Sequence, residues 1–286
     1  MQYIGNIFRP PSEARSLLVQ LTVGCSHNKC TFCSMYKDKQ FYVRDINEVI
    51  NELENFEHKD YIEKIFLCDG DALVVKTDDL IRVLQKIKEL FVNVKQISSY
   101  ATFQDVLRKS DEELKLLKDN GLSLLYLGAE SGSDKILKNI NKGVTSDEII
   151  EACLKAKACG FDLSIMIIIG IASKALSKEH AMASAQLINK IQPKYFAVLS
   201  LMVEPNTPLY QDVINHKFEI LDSKEEIMET RMILEHLDLV NTFFSSAHNS
   251  NYLFLKGNLN KDKQLLINKI DNYLNNGDFH LKIKHL

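Results

Sequence analysis

Three cysteines fall within nine residues of this chain: Cys25, Cys30 and Cys33 in GCSHNKCTFC. Thiolates are soft ligands that suit zinc or iron. Zinc asks for four ligands, commonly as two separated pairs, and no second pair exists here. His27 is too near Cys25 for a relaxed zinc knuckle and reads as a solvated loop residue. An iron–sulfur cube takes one thiolate per iron, so three local cysteines leave one iron open to bind something else. The bland alternative is three buried thiols without metal. Three cysteines this close together seldom arise for packing alone.

Other residues with chemical potential stand at strand ends. Asp69-Gly70-Asp71 follows the run KIFLC, where glycine allows close backbone approach and a carboxylate suits an ammonium group. Ser99 closes a third strand. Glu130 and Ser131 close a fourth, LYLGAE, where a carboxylate at the end of an apolar strand has few structural reasons to be. Arg9, Arg15 and Arg44 flank the cysteine loop in sequence; surface arginines are the default reading, and Arg9 and Arg44 are the candidates for holding a substrate anion. His180 reads as a surface or capping histidine. His248, in HNSNY, is the better candidate for a substrate contact. Cys68, Cys153 and Cys159 read as packing thiols, since Cys153 shares an apolar stripe with Ile149, Ile150 and Leu154.

These residues need a scaffold. Apolar β-rich runs alternate with amphipathic helical ones: strands are expected over 16–22, 64–68, 92–99, 122–128, 162–170 and 194–203. Helices start at the capping signals Asp45/Glu48, Thr77, Ser110/Glu113, Thr145/Glu148 and Ser177. Gly121 and Gly160 stop two of them. Continuous apolar strands separated by helices imply a parallel sheet covered by helices. Six units are too few for the eight-stranded barrel. The expectation is therefore an α/β fold, a partial (β/α)6 TIM-like barrel. Residues 1–16 form an N-terminal extension, 17–210 the barrel, and 211–286 a mostly helical C-terminal extension packing on it. Helical patterns cover 223–240 and 261–275. The Asn- and Ser-rich stretch 241–260 lies between them. Ligands of parallel sheets gather at the carboxyl ends of strands, and every candidate named above except the arginines, His180, His248 and the packing cysteines falls at such an end.

The chain has 286 residues, with 35 Lys+Arg against 38 Asp+Glu and a formal net charge of −3. That balance argues against nucleic acid as a partner. No apolar run is long enough to span a bilayer. No secretory signal is visible, so the expected location is cytoplasmic, where disulfides are rare and metal or reactive-thiol roles are favoured.

The stretch Cys25-x4-Cys30-Thr-Phe32-Cys33 resembles the cluster motif of the radical S-adenosylmethionine (radical SAM) superfamily, whose usual spacing has three residues, not four, between the first two cysteines. Asp69-Gly70-Asp71 resembles the family's Gly-Gly-Glu-like element, with Asp replacing one Gly. LYLGAESGSDKILKNINKG, IMIIIGI and LMVEPNTPLY resemble its fourth-, fifth- and sixth-strand segments in the correct order. An uncharacterised subgroup sometimes labelled Fe–S oxidoreductases is the most similar in its termini. The resemblance implies a [4Fe–4S] cluster on Cys25, Cys30 and Cys33, and S-adenosylmethionine contacted by Phe32, Asp69, Gly70, Asp71, Ser99, Glu130 and Ser131. It implies an oxygen-sensitive enzyme that cleaves S-adenosylmethionine reductively. The resulting 5′-deoxyadenosyl radical would take hydrogen from a small molecule, with electrons from a donor such as flavodoxin or ferredoxin. The competing reading is a zinc or iron–sulfur electron-transfer protein without S-adenosylmethionine catalysis. No second cysteine cluster appears, which disfavours peptide-maturing and methylthiolating activities, and no residue pattern reads a tetrapyrrole.

Overall fold

A computed structural model describes residues 1–276. The chain starts with β1 (Leu17–Gln20), β2 (Thr22–Val23), β3 (Tyr42–Val43) and α1 (Ile46–Glu54). It continues with β4 (Lys64–Cys68), α2 (Thr77–Leu90), β5 (Gln96–Tyr100), α3 (Phe103–Arg108), α4 (Asp111–Asp119) and β6 (Leu122–Glu130). Next come α5 (Asp134–Asn139), α6 (Ser146–Ala158), β7 (Asp162–Ile169), α7 (Ser173–Ile191) and β8 (Tyr195–Ser200). The C-terminal part adds α8 (Pro208–Ile214), α9 (Ser223–His236), β9 (Thr242–Ser245), β10 (Lys256–Leu259) and α10 (Lys263–Asn276). The fold is α/β, a mostly parallel sheet with flanking helices, as expected of a partial TIM-like barrel. The six expected barrel strands correspond to β1 and β4 through β8.

The chain divides into two compact units. One comprises Met1–Asn28, Met35–Leu127 and Glu151–Leu163; the other comprises Lys29–Ser34, Gly128–Ile150 and residues 164–276. In the first, β1, β4, β5 and β6 pair in parallel, with Gln20 opposite Cys68, Leu67 opposite Ser99 and Tyr100 opposite Tyr126. Ile65 to Cys68 are all buried, because both faces of a parallel sheet are covered. Phe66 packs edge-on against Tyr100 and Tyr126, with ring centroids 4.9 and 5.7 Å away. In the second unit, β8 pairs in parallel with β7 and β9, and β10 closes antiparallel on β9.

Local chemistry sets most boundaries. Ser110 and Glu113 form the expected capping box of α4, and Gly121 ends that helix at φ +107°. Asp45 caps α1 through the Asn47 N–H, without help from Glu48. Thr77 is not the cap of α2: Lys76 holds that place, and the Thr77 hydroxyl donates to Glu113 Oε1 at 2.6 Å. The third strand begins at Gln96 rather than Val92, since Phe91 to Val94 turn back on themselves. The stretch 241–260 departs from its helical neighbours by supplying β9 and β10, which extend the sheet.

Candidate functional site

In the first unit the segment entering the cysteine loop is tied to the end of β4. The Asp69 N–H donates to Thr22 Oγ1 at 3.0 Å, the Gly24 N–H to Asp69 Oδ2 at 3.2 Å, and the Gly70 N–H to the Gly24 carbonyl at 3.1 Å. The Ser26 hydroxyl donates to Asp71 Oδ2. Gly70 is sterically obligatory here. A Cβ at this position would stand 2.5 Å from Tyr36 Cε2 and 3.0 Å from Cys25 Cβ.

The two acids of Asp-Gly-Asp have different surroundings. Asp69 is fully buried and paired to Lys39 Nζ at 2.7 Å, itself nearly buried. Its Oδ1 has no hydrogen-bond partner among the described residues, nor has the buried Tyr36 hydroxyl. Burial pushes Asp71 well above the ordinary carboxylate range, and the Asp105 carboxyl hydrogen-bonded beside it pushes the same way. Asp105 is held by the Thr102 hydroxyl at 2.7 Å and by Arg108.

In the second unit, residues 29–34 carry Cys30 and Cys33. The Thr31 N–H donates to the Ile140 carbonyl and the Leu209 N–H to the Thr31 carbonyl, both at 3.0 Å; Asn141 Nδ2 donates to the Lys29 carbonyl. Phe32 packs against an apolar cluster of Ile136, Ile140, Ile171, Leu201, Val203 and Leu209. It therefore anchors the loop.

The turn after β6 is unusual. Glu130 has φ +66°, and the Ser131 N–H bonds back to the Ala129 carbonyl at 2.8 Å, closing a γ-turn around it. Such a backbone costs roughly 1–3 kcal/mol and survives where the surroundings enforce it. Lys142 Nζ holds Glu130 Oε1 at 2.9 Å. The carboxylate folds over Gly128, where a Cβ would lie 2.1 Å from Oε1. Ser131 is fully buried, and its hydroxyl lies 2.9 Å from His180 Nδ1.

The other expected residues separate into groups. Ser99 is buried, with its hydroxyl on the Tyr100 carbonyl. Arg44 is not an open anion site: it is buried, bonds Glu52 Oε1 at 2.5 Å and the Gln20 carbonyl, and so locks β1 to α1. Arg9 is exposed. His248 is half-buried, 2.8 Å from the Ser250 hydroxyl, and burial lowers its pKa. Lys39, Asp105, Lys142 and Glu229 escaped the sequence reading. Lys142 stands twelve residues after Glu130, beyond any short-range motif. His180, expected at the surface, is completely buried.

The thiols sort cleanly. Cys25, Cys30 and Cys33 are partly exposed, whereas Cys68, Cys153 and Cys159 are buried; none forms a disulfide. Burial pushes the Cys68 thiol far up and Cys153 up to about 12, so neither supplies a thiolate at neutral pH. Among the described residues no three His, Cys, Asp or Glu side chains gather as ligands of a single ion. The donor set is three accessible thiols, Cys25 in the first unit and Cys30 and Cys33 in the second. That set fits a cube that takes one thiolate per iron.

The radical SAM superfamily profile matches residues 19–174, more than half of the chain, and the protein belongs to that superfamily. Its cofactors are accordingly a [4Fe–4S] cluster and S-adenosylmethionine, and the chemistry of the class is S-adenosylmethionine-dependent radical chemistry. Among curated proteins, the chain is 26% identical over 69% of its length to an uncharacterized methyltransferase of Pyrococcus horikoshii, and 21% identical over 75% to the heme chaperone HemW of Bacillus subtilis. It spans 42% and 56% of those two proteins. Among solved structures, methylornithine synthase (PylB) aligns with a TM-score of 0.56 at 16% identity, over 91% of this chain and 80% of that one. Coproporphyrinogen III oxidase (HemN) from Escherichia coli aligns with a TM-score of 0.57 at 16% identity, over 78% of this chain and 52% of that one. At such identities the likeness establishes the fold and leaves function to the site. No helix among the described residues is long and apolar enough to cross a membrane.

Proposed function

We propose that this chain is a radical SAM enzyme acting on a small molecule, with Cys25, Cys30 and Cys33 as the cluster ligands. The observation that carries the reading is the division of the six cysteines: the three on the loop are accessible, and the other three are buried among apolar or carbonyl neighbours. Bound here, the cluster and S-adenosylmethionine supply a reductively generated carbon radical that takes hydrogen from substrate. The chain's residues bind and orient. Gly70 lets the Asp-Gly-Asp backbone lie against Cys25. Asp69 retains a buried oxygen with hydrogen-bonding capacity, suited to an ammonium group. Glu130 presents a carboxylate already balanced by Lys142, a partner that a cationic ligand can replace. Electrons come from a donor such as flavodoxin or ferredoxin.

The test is anaerobic reconstitution with iron and sulfide, then S-adenosylmethionine and dithionite. Four irons per chain and formation of 5′-deoxyadenosine are expected; a loaded cluster that never yields 5′-deoxyadenosine refutes the catalytic reading. A second reading has support in the likeness to a heme chaperone: cluster and S-adenosylmethionine bound without turnover. It predicts the same iron and the same ligand binding with no 5′-deoxyadenosine. One zinc per chain in place of iron would support the electron-neutral metal-binding alternative.

A further inference from the structure

A chain of buried polar groups in the second unit runs from the end of β7 to the turn after β6. The Gly170 N–H, directly after β7, donates to Glu229 Oε1 at 2.7 Å, and the Ser177 hydroxyl donates to Glu229 Oε2. His180 Nε2 faces Glu229 Oε1 at 3.6 Å. His180 Nδ1 lies 2.9 Å from the Ser131 hydroxyl and 3.4 Å from the Ser184 hydroxyl. Those two hydroxyls in turn accept the turn's own amides: Ser133 N–H on Ser131 Oγ at 3.1 Å and Gly132 N–H on Ser184 Oγ at 3.0 Å. His180, Glu229, Ser131 and Ser184 are all buried.

A neutral ring with its proton on Nε2 accounts for the Nδ1 contacts. Each hydroxyl accepts a backbone N–H, and either can then turn its own proton toward the single lone pair of Nδ1, Ser131 from the shorter distance. Nε2 faces Glu229 Oε1 at 3.6 Å, beyond hydrogen-bond reach, and has no hydrogen-bond partner among the described residues. Burial lowers the ring's pKa to about 4, so the ring stays uncharged across the physiological range. The turn is further closed by the Ser133 hydroxyl on Glu179 Oε1 at 2.6 Å, and by Gly132, where a Cβ would strike the Ala183 carbonyl at 2.2 Å. Helix α7 thus grips residues 131–133 through Glu179, His180, Ala183 and Ser184, and α9 grips α7 and the β7 end through Glu229.

We propose that His180 and Glu229 are positioning residues for S-adenosylmethionine binding: their buried chain fixes the strained Glu130–Ser131 turn and couples it to the Gly170 turn. This rests on the reading of the site above, in which Glu130 contacts the cofactor. Ser131, with its hydroxyl engaged by His180, then acts through the backbone it fixes and not as a direct donor to the ligand.

The test uses His180→Leu, His180→Asn and Glu229→Gln in the full chain. Asn offers an oxygen where Nδ1 stands; Leu offers none. In the cluster-free protein, His180→Leu should speed amide hydrogen exchange at Gly132 and Ser133 at least tenfold, with His180→Asn close to wild type. In the reconstituted protein, His180→Leu should weaken S-adenosylmethionine binding at least tenfold at unchanged iron content, with His180→Asn within threefold of wild type. Both His180 variants leave a cavity and should melt earlier, so stability alone does not reproduce that division. Should His180→Leu fail to fold, His180→Asn and Glu229→Gln decide: both should protect the two amides and bind within threefold of wild type, and loss of protection in either overturns the proposal. Equal amide protection in the Leu and Asn variants also overturns it. If wild type itself binds no S-adenosylmethionine with four irons present, the reading of the site fails, and the exchange result still reports on the clamp.

Discussion

Glu229→Gln isolates the electrostatics of that buried chain. Glu229 is 1% exposed, and burial pushes its pKa from 4.5 to about 7. Its bonds to Ser177 and the Gly170 N–H pull the other way, and Glu226 adds a smaller upward push. His180, facing it from α7, is pushed down from 6.5 to about 4. Glu226 and His180 are the titratable groups that meet this carboxyl. For an acid whose folded pKa is raised, the stabilisation is present below 4.5 and is lost as pH climbs to 7. For a base whose folded pKa is depressed, it is present above 6.5 and is lost as pH falls to 4. Each shift spans about 2.5 pH units, and at roughly 1.4 kcal/mol per unit each is worth about 3 kcal/mol. Between pH 4.5 and 6.5 the two slopes oppose and cancel. Gln keeps the shape and the Gly170 bond, turns the Ser177 hydroxyl from donor to acceptor, and cannot ionise, so the variant should gain about 3 kcal/mol on wild type between pH 4.5 and 7.

The assay is urea unfolding of the cluster-free protein, followed by circular dichroism under reductant at half-unit pH steps. Every other titrating group cancels in the difference between the two proteins. At roughly 2 cal/mol/K of unfolding entropy per residue, the same gain is a relative rise of about 5 °C in Tm. A difference that stays flat within about 1 kcal/mol across this window refutes the reasoning. It would mean that Glu229 ionises near its ordinary value and that water reaches it.

Replacing Cys25, Cys30 and Cys33 together by Ala should abolish iron loading while moving Tm by only a few degrees, because these thiols are partly exposed; iron analysis and calorimetry check it. Gly70→Ala should cost about 1–3 kcal/mol of stability through its clash with Tyr36 and Cys25, and should lower iron per chain, read by urea unfolding and iron assay. Lys39→Met leaves the Asp69 carboxylate buried without its partner and should cost about 3–5 kcal/mol, with Lys39→Met/Asp69→Asn recovering most of the loss. Ser110→Ala removes one arm of the α4 capping box and should cost about 1 kcal/mol without effect on iron content.

Features written in contiguous residues were legible. KIFLC and IMIII are apolar throughout because a parallel strand is covered on both faces, and that pattern locates a strand without reference to anything distant. The cysteine loop and Asp-Gly-Asp were legible for the same reason, since their chemistry is written in ten residues and in three. β9 and β10 were not: TFFS and KGNL are too short to alternate convincingly, and β9 exists because β8 offers it a parallel edge about 48 residues earlier. The ion pair of Asp69 was not legible either, because Lys39 lies thirty residues upstream.

His180 and Glu229 show why buried polar residues deceive a pattern reader. On a helix, Glu226 and Glu229 fall on the stripe shared with Ile227, Ile233 and Leu234, and two acids on such a stripe read as its solvated border. Only the contacts reverse that assignment: Glu229 is satisfied from Gly170, 59 residues away, and His180 from Ser131, 49 residues away. A polar group can enter a core when its partners are already in place. The partners here are the amide that follows β7 and the hydroxyl that follows β6, two strand ends whose segments resemble those of the radical SAM superfamily. A helix acid that reads as surface but is completed by strand-end groups is therefore a marker of the functional end of a parallel sheet.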